Sequence, residues 1–149
     1  MYQRLLVPVD GSSTSLKGLE EALKLQKSGG GRVKVVHVVN ELILDSNFAP
    51  SLYYEQLILS LREAGARVLA DATAYARAQH VEIESELIET IGARASNIIL
   101  EAARQWQADL IVMGTHGRRG LRRLALGSDA EGVLRLSPVP VLVVRDSAV

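Results

Sequence analysis

Three glycines and a serine at fixed spacing carry the strongest chemical signal in the chain. Gly114 and Gly117 follow the apolar run Leu110-Ile111-Val112-Met113, and Gly127-Ser128 come after nine intervening residues. Glycine takes up positive φ and lets a ligand approach the backbone closely. Gly127 and Ser128 open a helical pattern, and a helix start presents N–H groups and the positive end of a dipole. A strand, a glycine turn and a Gly-Ser helix start together form a cradle for an anion, or else a plain set of turns. Asp10, in the turn Asp10-Gly11-Ser12-Ser13, offers the opposite charge. Taken alone it is a turn residue or a helix cap.

The elements that must position these groups follow from periodicity. Gln3–Val9 is nearly continuously apolar, as expected of a strand covered on both faces, with Pro8 near its end. A helix follows, with Leu16, Leu19 and Leu23 at helical spacing and Glu20 placed to pair with Lys24. Ser28-Gly29-Gly30-Gly31 stops it. Val33–Val39 is the second strand, residues 40–50 a loop, and Ser51–His80 a long helix with a Leu57, Leu61, Ala64, Val68, Ala72 stripe. Val81–Glu89 alternates apolar and acidic residues, which suits a third strand near a sheet edge. Arg94–Gln107 is helical, and Ile98, Ile99, Ala102 and Trp106 share a face. After the glycine stretch come a short helix, Asp129–Leu136, and a last strand, Pro140–Arg145.

Strands alternating with helices predict an α/β fold: a five-stranded parallel, doubly wound sheet in the order 3-2-1-4-5, helices on both faces. Residues 1–149 are expected to form one domain. In such a sheet ligands bind beyond the carboxyl ends of the strands, where the order reverses. That point lies between strands 1 and 4, so topology should bring Asp10 to the glycine cradle. The division of labour is then chemical. Gly127 and Ser128 donate to phosphate oxygens, Asp10 accepts from ribose hydroxyls, and the end of strand 2 near Val38 offers backbone groups to a base edge. The commoner phosphate loops do not fit: GTHGRRG is neither a Walker loop nor G-x-G-x-x-G.

With these residues assembled, the chain resembles the universal stress proteins in their ATP-binding branch. Their motif, G-x2-G-x9-G-[S/T], is met by Gly114, Gly117, Gly127 and Ser128. The likeness extends to LLVPVDGS, VVHVV, ADLIVMGTHGRRGL and PVLVVR, and so to essentially the whole chain. The resemblance implies ATP as ligand. Pro8 and Val9 would line the adenine side, Asp10 would lie at the ribose and adenosine end, and Val38 would meet adenine through its backbone. Met113, Gly114, His116, Gly117, Gly127 and Ser128 would hold ribose and phosphates. One residue departs from the pattern: Asp129 follows Ser128. An acid there repels phosphate unless it turns outward or takes a Mg²⁺ ion.

The implied role is a stress-response or signalling switch, with slow hydrolysis or none. The alternative is an interaction protein of the same fold without a working nucleotide site. A true ATPase or phosphotransferase has least support, since no Walker lysine or arranged general base is visible. The last strand is an apolar sheet edge, Val141-Leu142-Val143-Val144, which invites pairing with a second copy. The resemblance also points to a homodimer through Pro140–Arg145.

The remaining signals are bland. Arg118, Arg119, Arg122 and Arg123 form a basic cluster that reads as a solvated face or as a contact for terminal phosphates. Charges balance at 17 basic and 17 acidic, and aromatic content is 4%, which weighs against nucleic acid. His37 reads as a packed core residue and His80 as a surface residue. The three histidines lack ligand spacing, so no metal site is expected beyond Mg²⁺ carried by ATP. With no cysteine, no signal-peptide pattern and no apolar run of membrane-spanning length, a soluble cytoplasmic protein is expected.

Overall fold

The computed structural model describes residues 1–41, 51–116 and 126–146. The expected loop over residues 42–50 lies outside them. Five strands and four helices alternate along the chain: β1 Arg4–Pro8, α1 Ser13–Gly29, β2 Arg32–Asn40, α2 Ser51–Ala78, β3 Glu84–Thr90, α3 Ala95–Trp106, β4 Leu110–Gly114, α4 Ser128–Leu136 and β5 Val141–Val144. All strand pairings are parallel and the order is β3-β2-β1-β4-β5, as the alternation predicts.

The continuous apolar strands are covered on both faces. Leu5, Val7 and Val9 pack with α1 and α2 residues such as Leu19, Leu23, Leu69 and Ala76. Leu6, Ile111 and Met113 pack on the other face with Ile99, Trp106, Ala130 and Val133 of α3 and α4. Each fully buried Leu or Val of this kind contributes about 1.5–3 kcal/mol relative to exposure. At the amino ends of the strands, the Asp109 carboxylate accepts from the backbone N–H groups of Gln3 (2.8 Å) and Arg4 (2.8 Å), tying β1 to β4. On the acidic edge strand β3, Glu84 and Glu86 pair with Arg32 and Lys34 of β2 at 2.7 and 2.6 Å.

Three details depart from the sequence reading. Leu16 is 43% exposed, and the buried stripe of α1 is centred on Gly18, Leu19, Ala22 and Leu23. Glu20 pairs with Lys17, and Lys24 with Glu21, rather than with each other. The third strand begins at Glu84, because Val81 closes α2 instead. His80 takes φ 63°, its N–H donates to Arg77, and the Val81 N–H reaches back to the Ala76 carbonyl at 3.0 Å. This is a Schellman closure, which buries the residue following the left-handed position. The glycine run ends α1 as expected: Gly30 takes φ 76° and donates to the Gln26 carbonyl at 2.7 Å. Among the described residues no helix is long and apolar enough to cross a membrane.

Candidate functional site

Leu5 of β1 lies opposite Leu110 of β4, and Leu6 opposite Ile111. From these two strands the chain runs on to opposite sides of the sheet, to β2 and to β5. Their carboxyl ends therefore bound a crevice at the switch point.

On one side of the crevice stands the turn after β1. Val9 is buried and held by β2 at both backbone groups: its N–H donates to the Val36 carbonyl at 2.9 Å, and its carbonyl accepts from His37 Nδ1 at 2.8 Å. Asp10 then folds back on the chain. Its Oδ1 accepts from the Ser12 N–H at 2.9 Å, and its own N–H donates to Ser15 Oγ at 3.3 Å. An aspartate bonding two residues ahead is a side-chain mimic of a backbone turn. Gly11 supplies the positive φ, 85°, that this turn requires. Ser12 caps α1 by accepting from the Ser15 N–H at 3.2 Å. The Asp10 carboxylate is thus oriented by its turn and half-buried at the crevice rim.

On the other side stand the ends of β4 and α4. The Thr115 N–H donates to the Val144 carbonyl of β5 at 3.0 Å, and the Thr115 carbonyl accepts from the Gly127 N–H at 2.7 Å. The second bond draws the start of α4 to the end of β4. Gly127 is the N-cap residue, with φ −64° and ψ 156° and no side-chain cap. The first helical bond runs from the Glu131 N–H to the Gly127 carbonyl at 2.9 Å. The N–H groups of the first turn precede it, and the α-helical ladder does not use such groups. Ser128 and Asp129 are exposed. Asp129 and Glu131 occupy the first turn, where negative charge is favoured by the helix dipole.

Pro8, Val9 and Asp10 stand at the carboxyl end of β1, Gly114 and His116 at that of β4, and the Thr115 carbonyl holds Gly127, next to Ser128, beside them. Val38 stands two residues beyond Val36, partly buried on β2. Met113 is a core residue of the α3/α4 face. Gly117 and the arginines at 118, 119, 122 and 123 lie outside the described residues. Gly114 has a packing role that spacing did not reveal: a Cβ there would lie 2.7 Å from the Thr14 carbonyl carbon and oxygen. α1 crosses β4 this closely because Gly18 also lacks a side chain; a Cβ there would lie 3.3 Å from the Met113 carbonyl carbon. Thr14 and Ser15, both buried, are site-supporting residues that the sequence reading passed over. Thr14 Oγ1 donates to the His116 carbonyl, joining α1 to the residue just before Gly117. The only local signal for them was the hydroxyl run Ser12-Ser13-Thr14-Ser15.

Known proteins share this fold. The model of the universal stress protein family matches residues 1–145. Universal stress protein MJ0531 of Methanocaldococcus jannaschii is 35% identical over 145 residues, covering 97% of this chain and 83% of that protein. A universal stress protein structure from Burkholderia pseudomallei superimposes with a TM-score of 0.76 at 34% identity, over 96% of each chain. A universal stress protein from Archaeoglobus fulgidus, solved in complex with dAMP, has a TM-score of 0.68 at 24% identity, over 96% of this chain and 98% of that one. Another, solved in complex with cAMP, has the same TM-score and identity, over 96% and 97% of the two chains. At that identity the last two likenesses are of fold alone. The match over nearly the whole chain, together with the sheet order and the switch-point crevice, places this chain in the universal stress protein family.

Proposed function

We propose that this protein binds an adenine nucleotide, ATP in the first place, in the crevice between the ends of β1 and β4, and acts as a dimeric stress-response or signalling switch. Two complementary groups, at the ends of the neighbouring strands β1 and β4, carry the reading. The uncapped start of α4 at Gly127 and Ser128 offers N–H donors suited to phosphate, and the turn-oriented Asp10 carboxylate offers an acceptor suited to ribose hydroxyls. The dAMP and cAMP complexes of two proteins of this fold support it.

The residues fit the ligand as follows. Pro8, Val9 and Val38 form the adenine side. Asp10 takes the ribose, and Met113, Gly114, His116, Gly117, Gly127 and Ser128 form the ribose and phosphate side. Asp10 or Asp129 would offer a carboxylate to a Mg²⁺ ion carried by the triphosphate, an ion that would neutralise phosphate charge and would keep most of its water. Among the described residues the groups there are backbone donors, the Ser128 hydroxyl, His116, Asp129 and an Asp10 carboxylate engaged in its own turn, a set that suits holding a nucleotide more than transferring its phosphate. Hydrolysis is accordingly slow or absent, and nucleotide occupancy is the signal.

Equilibrium dialysis of the purified protein against ATP, ADP and AMP tests this reading, together with mass spectrometry of any nucleotide released on denaturation. Binding in the micromolar range is expected. No binding of any of the three at millimolar ligand overturns it.

One observation favours the second reading, an interaction protein without a nucleotide site. Asp129 and Glu131 already place two carboxylates at the α4 start, where they serve the dipole as a bound anion would. That reading requires a protein that purifies free of nucleotide and binds none.

A further inference from the structure

His37 lies in the middle of β2 and reads as core packing, yet its ring bonds to the turn that carries Asp10. Nδ1 is 2.8 Å from the Val9 carbonyl oxygen. A carbonyl only accepts, so Nδ1 bears the proton and donates. The ring reaches this position because α2 passes over it at Gly65, where a Cβ would lie 2.8 Å from His37 Cδ2 and 2.7 Å from Leu87 Cδ1. The backbone consequence is specific. Val9 N–H to Val36 carbonyl is a parallel ladder bond. In such a ladder the next bond runs from the Val38 N–H to the Val9 carbonyl. Here the carbonyl accepts from the imidazole.

We propose that His37 is a positioning residue of the nucleotide site: by taking the Val9 carbonyl it ends the β1–β2 ladder, releases the Val38 backbone to face the adenine edge, and fixes the Val9–Asp10 turn that meets the ribose. This rests on the nucleotide-binding reading above and assigns that site a specificity element at its adenosine end. The imidazole does not touch the ligand. It acts through two backbone segments, Val9–Asp10 and Val38, that the adenosine contacts. With the imidazole donor removed, the Val9 carbonyl is left to the Val38 N–H, which extends the ladder by one bond and withdraws that N–H from the adenine edge.

The test uses variants that place a donor at Nδ1 or away from it. The amide of His37→Asn falls where Nδ1 stands, that of His37→Gln falls nearer Nε2, and His37→Leu carries no donor. ATP and AMP binding are measured for each by equilibrium dialysis, with the melting temperature of the ligand-free protein as a check of folding. The expected result is binding within about threefold of the parent for His37→Asn and loss of about tenfold or more for His37→Gln and His37→Leu, a size set by about one hydrogen bond lost to the ligand. ATP and AMP should lose affinity by the same factor, since the effect is at the adenosine end. Equal binding by the Asn and Gln variants overturns the inference, as does a loss confined to ATP. If His37→Leu fails to fold, the Asn and Gln comparison decides. Should the parent protein bind neither nucleotide, the nucleotide reading itself has failed, an outcome distinct from all of these.

Discussion

Gly114 lies flush against Thr14, with room for a hydrogen but not for a methyl group. A Cβ at Gly114 would stand 2.7 Å from the Thr14 carbonyl carbon and oxygen, both backbone atoms that cannot swing aside. Gly114→Ala should therefore push α1 off β4 and destabilise the protein by about 1–3 kcal/mol, the usual cost of overpacking. Chemical denaturation would check this. A variant as stable as the parent would show that α1 yields without cost.

Gly127 should behave in the opposite way. Its φ of −64° and ψ of 156° are open to any residue, so Gly127→Val keeps the backbone of the α4 start. The fold should survive with a loss of about 1 kcal/mol or less, as for a poor N-cap residue. ATP binding should be abolished, because the side chain stands where phosphate must approach. Circular dichroism melting and equilibrium dialysis on the same sample separate the two effects.

Asp10 has two duties that substitution can divide. Asp10→Asn retains an oxygen for the Ser12 N–H, 2.9 Å away in the parent, and so retains the turn. It removes the charge that would receive ribose hydroxyls. Nucleotide affinity should fall about tenfold, the difference between a charged and a neutral hydrogen-bond acceptor, with little change in melting temperature. Unchanged affinity would remove Asp10 from the ribose contact.

At the far end of β2 and β3, Arg62 bridges two carboxylates, with Nη2 3.4 Å from Glu41 Oε1 and Nε 2.9 Å from Glu89 Oε1. Glu41 is 8% exposed, and its carboxyl is held above its ordinary range by its hydrogen bond to Glu89 and by burial. Glu89 is held below its range, first by the Arg62 hydrogen bond and then by the bond from Glu41. The signs oppose. The share from Glu41 is present in full below the unfolded-state value and is lost as pH rises through the raised folded value. The share from Glu89 is present above its unfolded value and is lost as pH falls through the depressed one. Glu41→Gln keeps the hydrogen bond without the charge. Its melting temperature should exceed the parent's at neutral pH, and the gap should close on acidification through the glutamate range. A gap that is constant with pH would show that Glu41 does not titrate in this pair.

The β5 edge offers a test of the proposed dimer that spares the fold. The carbonyls of Pro140 and Val144 accept from Ile111 of β4 and from Thr115 just after it, at 3.0 Å each. Backbone groups alternate sides along a strand, so those of Val141 and Val143 point away from the sheet. Val143→Pro removes an outward N–H and leaves the β4 ladder whole. Sedimentation should show a dimer for the parent and a folded monomer for the variant. A parent monomer at micromolar concentration would rule out pairing through this edge.

Local chemistry in the chain was enough to determine the element order, the parallel sheet and the glycine spacing that marks the family. Hydrophobic periodicity distinguishes buried strand from helix, alternation with helices forces crossover connections, and the connection rules leave few strand orders. Asp10 and the Gly127-Ser128 start of α4 were legible for the same reason, since turn and cap residues are chosen by their own backbone. The tertiary structure alone decided how these pieces touch. Spacing showed that α1 has an apolar side but not that its stripe centres on Leu19 and leaves Leu16 outside. The pattern at Gly114 suggested room for a ligand, and the structure shows α1 filling the space where a side chain would be. Thr14 meets His116 across 102 positions, and His37 meets Val9 across 28. Such contacts depend on where a helix crosses a twisted sheet, a geometry set by the sum of all the packing and written in no single stretch of the chain.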